Sequence, residues 1–180
     1  MGTLKTTNIQ TITGSGTLTL GTSGETLALG SGVTSNLLYP AFEARLSADT
    51  NISNATYTTV NIDTEYFDTD SAFDTSTYRF TPQVAGKYFV YGSIRFQCSN
   101  SNNINNLVVR IDKNGGGYRN TNFDPNSNEN IFNGFVQATV DLNGSTDYVT
   151  LVGYLSVTTG TPRFDSGTAS TYFGAYRIGS

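Results

Sequence analysis

The chain has 180 residues, a formal net charge of -4, and only 13% charged residues against 37% hydrophobic ones. This length suits one domain with an appendage, and the low charge excludes a charged, disordered tail. No run of Lys or Arg forms the basic stripe that nucleic-acid binding needs, and no stretch approaches the roughly 20 apolar residues of a membrane span. With 19 Gly and many Thr, Ser and Asn, the composition predicts an all-β protein with neither nucleic acid nor membrane as partner.

The amino terminus differs from the rest of the chain. Residues 1–10 lack an apolar signal core, which predicts synthesis in the cytoplasm without a cleaved signal. Residues 15–21 and 23–30 share a pattern in which Leu alternates with Thr or Ala and ends at Gly. Two such units are too few to bury a core within one chain, although copies intertwined about a threefold axis could bury their leucines together. We expect residues 1–36 to form an extended β-rich arm; the alternative is a flexible leader without a function.

The domain proper is expected to span residues 37–180. Its first strand follows Pro40, where Phe42, Ala44 and Leu46 alternate with Glu43 and Arg45. A period of two with apolar residues on one side predicts a half-buried strand.

An acidic segment follows a short β-branched strand that is predicted over residues 57–62. Its carboxylates are expected to lie in a loop, and oxygen-rich loops suit hard cations such as Ca²⁺. The spacing does not match a calcium-binding hand, so solvated carboxylates are the alternative. The candidate calcium ligands are Asp63, Glu65, Asp68 and Asp70, and no other cofactor is expected.

Two aromatic-rich strands then flank a corner of sequence TPQVAG, residues 81–86. Pro82 cannot donate to a central ladder, and Gly86 permits a tight entry into the next strand, which is predicted over residues 84–98. Cys98 is the only cysteine, so no internal disulfide can form and a buried thiol is expected.

The carboxyl-terminal half is predicted to form further strands that are separated by polar loops. Residues 99–106 and 120–130 are rich in Asn and Ser and predict loops. Between them, Asn114-Gly115 predicts the turn of a β-hairpin. Three more strands are predicted over residues 131–142, 148–157 and 171–178, and no helical period persists anywhere.

Catalysis is disfavoured by what the chain lacks. It contains no histidine, which removes Ser-His-Asp and Cys-His arrangements and the usual transition-metal sites. Paired carboxylates for glycoside cleavage are available, but their spacing singles out no pair. We therefore expect a protein that is not an enzyme.

The spacing of the central stretch resembles the signature of the complement C1q-like domain, which is related to the tumour necrosis factor fold. The signature positions are Ile62, Asp68, Phe73, Phe80, Gly86, Tyr88, Val90 and Gly92, of which Ile62, Val90 and Gly92 depart from the expected aromatic residues. Residues 40–47, 109–115, 142–151 and 171–178 resemble further strands of that family in the same order. The resemblance implies a ten-stranded jelly-roll sandwich that forms homotrimers, with a core drawn from Phe73, Phe80, Gly86, Tyr88, Phe173 and Gly174.

The arm is similar to the amino-terminal regions of bacteriophage fibre and other virion proteins. The leading hypothesis is therefore a trimeric phage fibre, spike, or capsid or tail decoration in the virion, held to other virion proteins through residues 1–36. Its head would project outward and bind host receptors or glycans, and Tyr118, Phe123 and Tyr172 are the candidate contacts, with core or trimer packing as the alternative for each. A purely structural cement or capping protein, or a bacterial adhesin, are the other hypotheses.

Overall fold

In a computed structural model of the protein, residues 39–99, 104–125 and 129–179 are described. These ranges contain strands and no helix. Four of the strands are only two residues long. In chain order the strands are β1 Ala41–Arg45, β2 Thr50–Asn51, β3 Thr58–Thr59, β4 Thr64–Asp68, β5 Phe73–Asp74, β6 Arg79–Phe80, β7 Gly86–Cys98, β8 Ile104–Lys113, β9 Gly116–Phe123, β10 Ile131–Leu142, β11 Val149–Val157, β12 Pro162–Asp165 and β13 Tyr172–Gly179.

The strands form two antiparallel sheets. Sheet A has the order β4-β1-β13-β7-β10. Residues 95–98 of β7 pair with β12, which in turn pairs with β2. Sheet B has the order β5-β6-β11-β8-β9, with β3 also on β11. One side of the sandwich is therefore bounded by β4 and β5, and the other by β10 and β9.

The core between the sheets is centred on one phenylalanine of β1. The Phe42 ring stacks on Phe73 and Phe80 of sheet B at centroid distances of 4.5 and 4.6 Å, and meets Phe173 of sheet A edge-on at 5.3 Å. Tyr88 extends this cluster through Phe80. Since all five rings are buried, this cluster joins the two sheets at the start of the domain.

The predicted corner carries the chain from one sheet to the other. Phe80 ends β6 in sheet B, and Gly86 begins β7 in sheet A. Gly86 has a φ of 150°, and a Cβ there would lie 2.8 Å from Nε of Arg177. The Tyr88 hydroxyl donates to the Val84 carbonyl at 2.7 Å, which fastens the corner to the new strand.

Several predictions are confirmed. The alternation of β1 places Phe42, Ala44 and Leu46 in the core and leaves Glu43 and Arg45 on the outer side. Residues 114–115 form the turn between β8 and β9, both with positive φ (53° and 78°), as a type I′ turn requires. Cys98 is buried, and β10 has the predicted bounds.

Other predictions are wrong. Glu65 and Asp68 belong to strand β4, not to a loop, because an edge strand accommodates charged side chains well. The strand expected over residues 57–62 is reduced to Thr58–Thr59, and β12 was not predicted. Residues 104–106 and 120–123 of the predicted polar loops belong to strands β8 and β9. Nδ2 of Asn106 donates to Oδ1 of Asn122 across the hairpin and so supports this pairing. The predicted arm, residues 1–36, lies outside the described residues.

We expect Phe42→Ala to destabilise the domain by about 3–5 kcal/mol, because it removes a fully buried ring from the contact between the sheets. Denaturant unfolding of the variant and the native chain measures this difference. Val84→Ala is the control, since its side chain is 40% exposed and should change the free energy of unfolding little. A loss below about 1 kcal/mol would show that Phe42 is not central to the core.

Candidate assembly face

Seven aromatic side chains lie among polar ones on the outer side of sheet A. We call this surface the aromatic face. Phe135, Phe67 and Tyr176 are 62%, 48% and 37% exposed. Phe89 and Tyr91 of β7 and Tyr172 of β13 are half-buried among them, and the full set is Tyr66, Phe67, Phe89, Tyr91, Phe135, Tyr172 and Tyr176. Contiguous aromatic surfaces of this kind are typical of interaction sites, which makes this face the candidate site.

Strand register assembles the centre of this face. Tyr91 of β7, Gly174 of β13 and Glu43 of β1 are directly opposite one another on three adjacent strands. A Cβ at Gly174 would lie 2.5 Å from Cζ of Tyr91, so the glycine leaves room for the Tyr91 ring to lie across β13. The Tyr91 hydroxyl thereby reaches Glu43 and donates to Oε2 at 2.7 Å.

A β-bulge shapes the neighbouring concavity. The register between β1 and β4 shifts after Glu43, which leaves Tyr66 as the extra residue of β4. Tyr66 then lines a concavity of about 420 Å³ together with Glu43, Tyr91, Ala169 and Tyr172. A second concavity of about 320 Å³ shares Tyr91 and Tyr172 and extends to Phe89 and Phe135. Both hollows open on the aromatic face.

The aromatic face carries little charge. Glu43 and Arg45 are its central charged groups, and the Arg45 guanidinium lies over the Tyr66 ring at 5.9 Å. Burial raises the pKa of the Tyr91 phenol, and the hydrogen bond to Glu43 and its negative charge raise it further. At neutral pH, Tyr91 therefore stays protonated and serves as a hydrogen-bond donor.

The candidate calcium ligands do not converge. Oδ1 of Asp63 accepts from the Ser47 backbone N–H at 2.8 Å, and Oδ2 of Asp68 accepts from that of Phe73 at 2.8 Å. Within the described ranges, no group of three or more acidic or cysteine side chains is arranged to hold a metal ion. Calcium binding by Asp63, Glu65, Asp68 and Asp70 stays a prediction.

Within the described residues, the nearby Asp74 accepts hydrogen bonds only from its own turn. Its oxygens accept hydrogen bonds from the side chain and backbone of Ser76 and from the Thr77 hydroxyl. These bonds lower the pKa of Asp74 to about 2. The carboxylate is thus held by its own turn.

The three candidate recognition residues lie in different surroundings. Tyr118 is 45% exposed on β9, and its hydroxyl donates to the Thr139 carbonyl of β10 at 3.0 Å. Phe123 is half-buried and packs on Phe132, at a centroid distance of 5.2 Å. Tyr172 is part of the aromatic face. The structure therefore does not bring the three together.

The predicted family-core residues divide between the core and other parts of sheet A. Phe73, Phe80, Tyr88 and Phe173 are buried, whereas Gly86 begins β7 and Gly174 lies beneath Tyr91. Gly92, where the signature expects an aromatic residue, leaves no space for one, because a Cβ would lie 2.7 Å from Cδ1 of Leu151.

Sequence reasoning missed most of the aromatic face. Phe89 and Tyr91 stand in an apolar run with Tyr88 and Val90, which the sequence alone does not divide between core and surface. The available signal was the strict period of two, which places Tyr88 and Val90 on one side and Phe89 and Tyr91 on the other.

Comparison with solved structures identifies the architecture. The globular domain of zebrafish complement 1qA protein is similar with a TM-score of 0.54 and 18% identity, and the match covers 77% of this chain and 96% of that one. The fold is that of C1q and TNF domains. Murine APRIL matches with a TM-score of 0.54 and 11% identity over 77% and 98% of the two chains. Eiger TNF from S. frugiperda matches with a TM-score of 0.52 and 15% identity over 78% and 91%.

These similarities concern the C1q/TNF-like fold alone, which confirms the predicted jelly-roll class. No protein-family model matches the sequence, and no curated protein matches it. In the described part of the chain, no helix is long and apolar enough to cross a membrane.

We expect Tyr91→Phe to lower the free energy of unfolding by about 1–2 kcal/mol at pH 8, because Glu43 loses its donor. The pKa of Tyr91 is higher in the folded chain than the usual value of about 10. The contribution of Tyr91 to the free energy of unfolding is therefore fully present below about pH 10 and is lost as the pH rises further.

Unfolding measured between pH 8 and 11.5 tests this expectation. The difference between native chain and variant should shrink above pH 10, and Tyr57→Phe should match the native chain at pH 8. A difference that stays constant through pH 11.5 would contradict the assigned hydrogen bond.

Proposed function

We propose that this chain is a non-enzymatic structural protein of a bacteriophage particle. In this proposal it forms a homotrimer through the aromatic face, as the head of a fibre, a spike, or a capsid or tail decoration. The observation that carries the proposal is the aromatic face itself, because burying the exposed part of its phenylalanine rings against another chain would contribute a fraction of the about 1.5–3 kcal/mol that full burial gives.

Three further observations support this reading. The C1q/TNF-like fold agrees with the family resemblance of the sequence, which implies trimers. The absence of histidine from the sequence removes the commonest general base, in accord with a role other than catalysis. The Leu/Gly units of residues 15–30 provide an apolar segment suited to intertwining or anchoring.

Recognition of a host receptor or glycan by the outward head belongs to the same proposal. Tyr118 remains available for it, since its ring is exposed on β9, away from the centre of the aromatic face. A cement or capping protein would share the assembly without this contact. Host binding therefore separates the two versions of the proposal.

The solution mass of the full chain should be about 58 kDa, which corresponds to three chains of 19.3 kDa. Phe135→Asp should shift the mass toward the monomer, because it places a carboxylate on the most exposed ring of the aromatic face. Light scattering after gel filtration measures both. Tyr57→Asp is the matched control, since Tyr57 is 47% exposed but packs on sheet B, and it should keep the native mass. A native chain that stays monomeric at micromolar concentration would disprove assembly.

Deleting residues 1–36 should abolish association with phage particles while the remaining head keeps its fold by circular dichroism. Co-sedimentation of the full chain and the deletion variant with particles that lack the protein measures this association. Equal co-sedimentation of the two would refute the anchoring role. The same chains added to host cells distinguish the versions above: a receptor-binding head competes with particles for adsorption, and a cement protein does not.

A further inference from the structure

The outer side of sheet B carries an arginine that is held by an aspartate and a tyrosine. Nε and Nη2 of Arg110 donate to the two carboxylate oxygens of Asp112 at 2.5 and 2.8 Å, and the guanidinium lies over the Tyr57 ring at 4.0 Å. The Tyr154 ring lies 5.0 Å from that of Tyr57. A Cβ at Gly117 would lie 3.2 Å from Cδ of Arg110, so the glycine leaves room for the arginine stem. The guanidinium is therefore fixed in place before any ligand binds.

Strand register places two amide side chains beside these rings. Asn120 of β9 lies directly opposite Arg110 of β8. In the neighbouring row, Val108 of β8 lies between Asn122 of β9 and Tyr154 of β11. Residues opposite one another share a side of the sheet, so the amides and the rings face the same solvent. We call this surface the outer patch, and it consists of Tyr57, Arg110, Asn120, Asn122 and Tyr154.

The outer patch has hydrogen-bonding groups that the chain itself does not use. Within the described ranges, Nη1 of Arg110, the hydroxyls of Tyr57 and Tyr154 and the side chain of Asn120 make no hydrogen bond. Tyr57 is also 47% exposed. The patch therefore offers aromatic rings next to several free donors and acceptors, which suits a ligand with both apolar surfaces and hydroxyl groups.

Tyr57 is not required to fasten its loop to the sheet. The Asn54 side chain exchanges two hydrogen bonds with the backbone of Val157, at 2.9 and 2.8 Å. The Ala55 N–H donates to the Leu155 carbonyl at 2.9 Å. Since these bonds already hold the loop on β11, the exposed ring of Tyr57 is free to serve in recognition.

The charges on this side of sheet B do not favour an anionic ligand. The bidentate bond to Asp112 neutralises Arg110. Arg119 does not contribute, because it lies opposite Ile111, whose side chain is in the core. The outward charges of the sheet and its margins are the cations Arg79 and Arg110 and the carboxylates Asp74, Asp112 and Asp124. With cations and carboxylates nearly balanced, a neutral ligand fits the patch better than an acidic one.

We propose that the outer patch binds a neutral oligosaccharide of the host surface. A sugar ring stacks its C–H face on the exposed tyrosine rings, and its hydroxyl groups accept from Arg110 and exchange hydrogen bonds with the Asn120 amide. This inference rests on the proposed recognition of the host, to which it gives a site and a ligand class. The patch and the aromatic face belong to different sheets of the sandwich, so the proposed assembly leaves the patch accessible.

Binding of the full-length protein to an array of neutral and acidic oligosaccharides tests the proposal, followed by calorimetric titration of the strongest neutral one. Tyr57→Ala and Tyr154→Ala should each weaken this binding by about tenfold or more. Tyr118→Ala is the matched control, since Tyr118 is 45% exposed outside the patch and its loss should leave the affinity unchanged. Between about 0.05 and 0.5 M salt, the native affinity should change by less than about twofold, because the ligand carries no charge. Circular dichroism verifies the fold of each variant.

The outcomes separate this inference from the recognition on which it rests. Native-like glycan binding by Tyr57→Ala and Tyr154→Ala, or a loss confined to Tyr118→Ala, would overturn the site and leave host recognition standing. Selective binding of acidic glycans that weakens steeply with salt would overturn the neutral class. Undiminished binding to host cells stripped of their glycans would indicate a protein partner and overturn the ligand. Absence of binding to both the array and host cells would overturn recognition as well.

Discussion

The packing of Phe42 between the two sheets is the constraint on which the remaining structure depends. Its ring is held by Phe73 and Phe80 from sheet B, so β1 cannot slip by one residue without expelling it into solvent. Because side chains alternate along a strand, the same constraint directs Glu43 and Arg45 outward. The outward positions of Glu43 and Arg45 on the aromatic face therefore depend on the Phe42 ring, which lies on the opposite side of the sheet.

The register of sheet A then decides what Glu43 can contact. Adjacent strands lie about 4.8 Å apart, so Tyr91 and Glu43, two strands apart, are separated by roughly twice that distance. The tyrosine spans the gap only because Gly174 intervenes without a side chain. A glycine at this one position converts an ordinary outward tyrosine into a donor to a carboxylate on β1. The Tyr91 ring, which lies across β13, forms part of the lining of the larger hollow.

The sequence predicted what depends on strong local patterns, and missed what depends on neighbours. The alternation in β1, the Asn114-Gly115 turn and the bounds of β10 are visible in single segments. The strand character of residues 120–123 is not, because it depends on cross-strand partners such as Asn106. The aromatic face required knowing which side of β7 faces sheet B, and only the assembled sandwich determines that side. The resemblance to C1q-like domains predicted the fold correctly, although it could not indicate that Glu43 and Tyr91 meet.

An exposed aromatic surface also favours non-specific association, since any apolar partner could cover it. In the proposed assembly, charge repulsion limits which surfaces can bind the aromatic face. Glu43 in the hollow and the acidic residues of the β4 edge repel one another between copies, so that edge is a poor partner for the face. Repulsion at the β4 edge would therefore leave fewer ways for two copies to meet on the aromatic face.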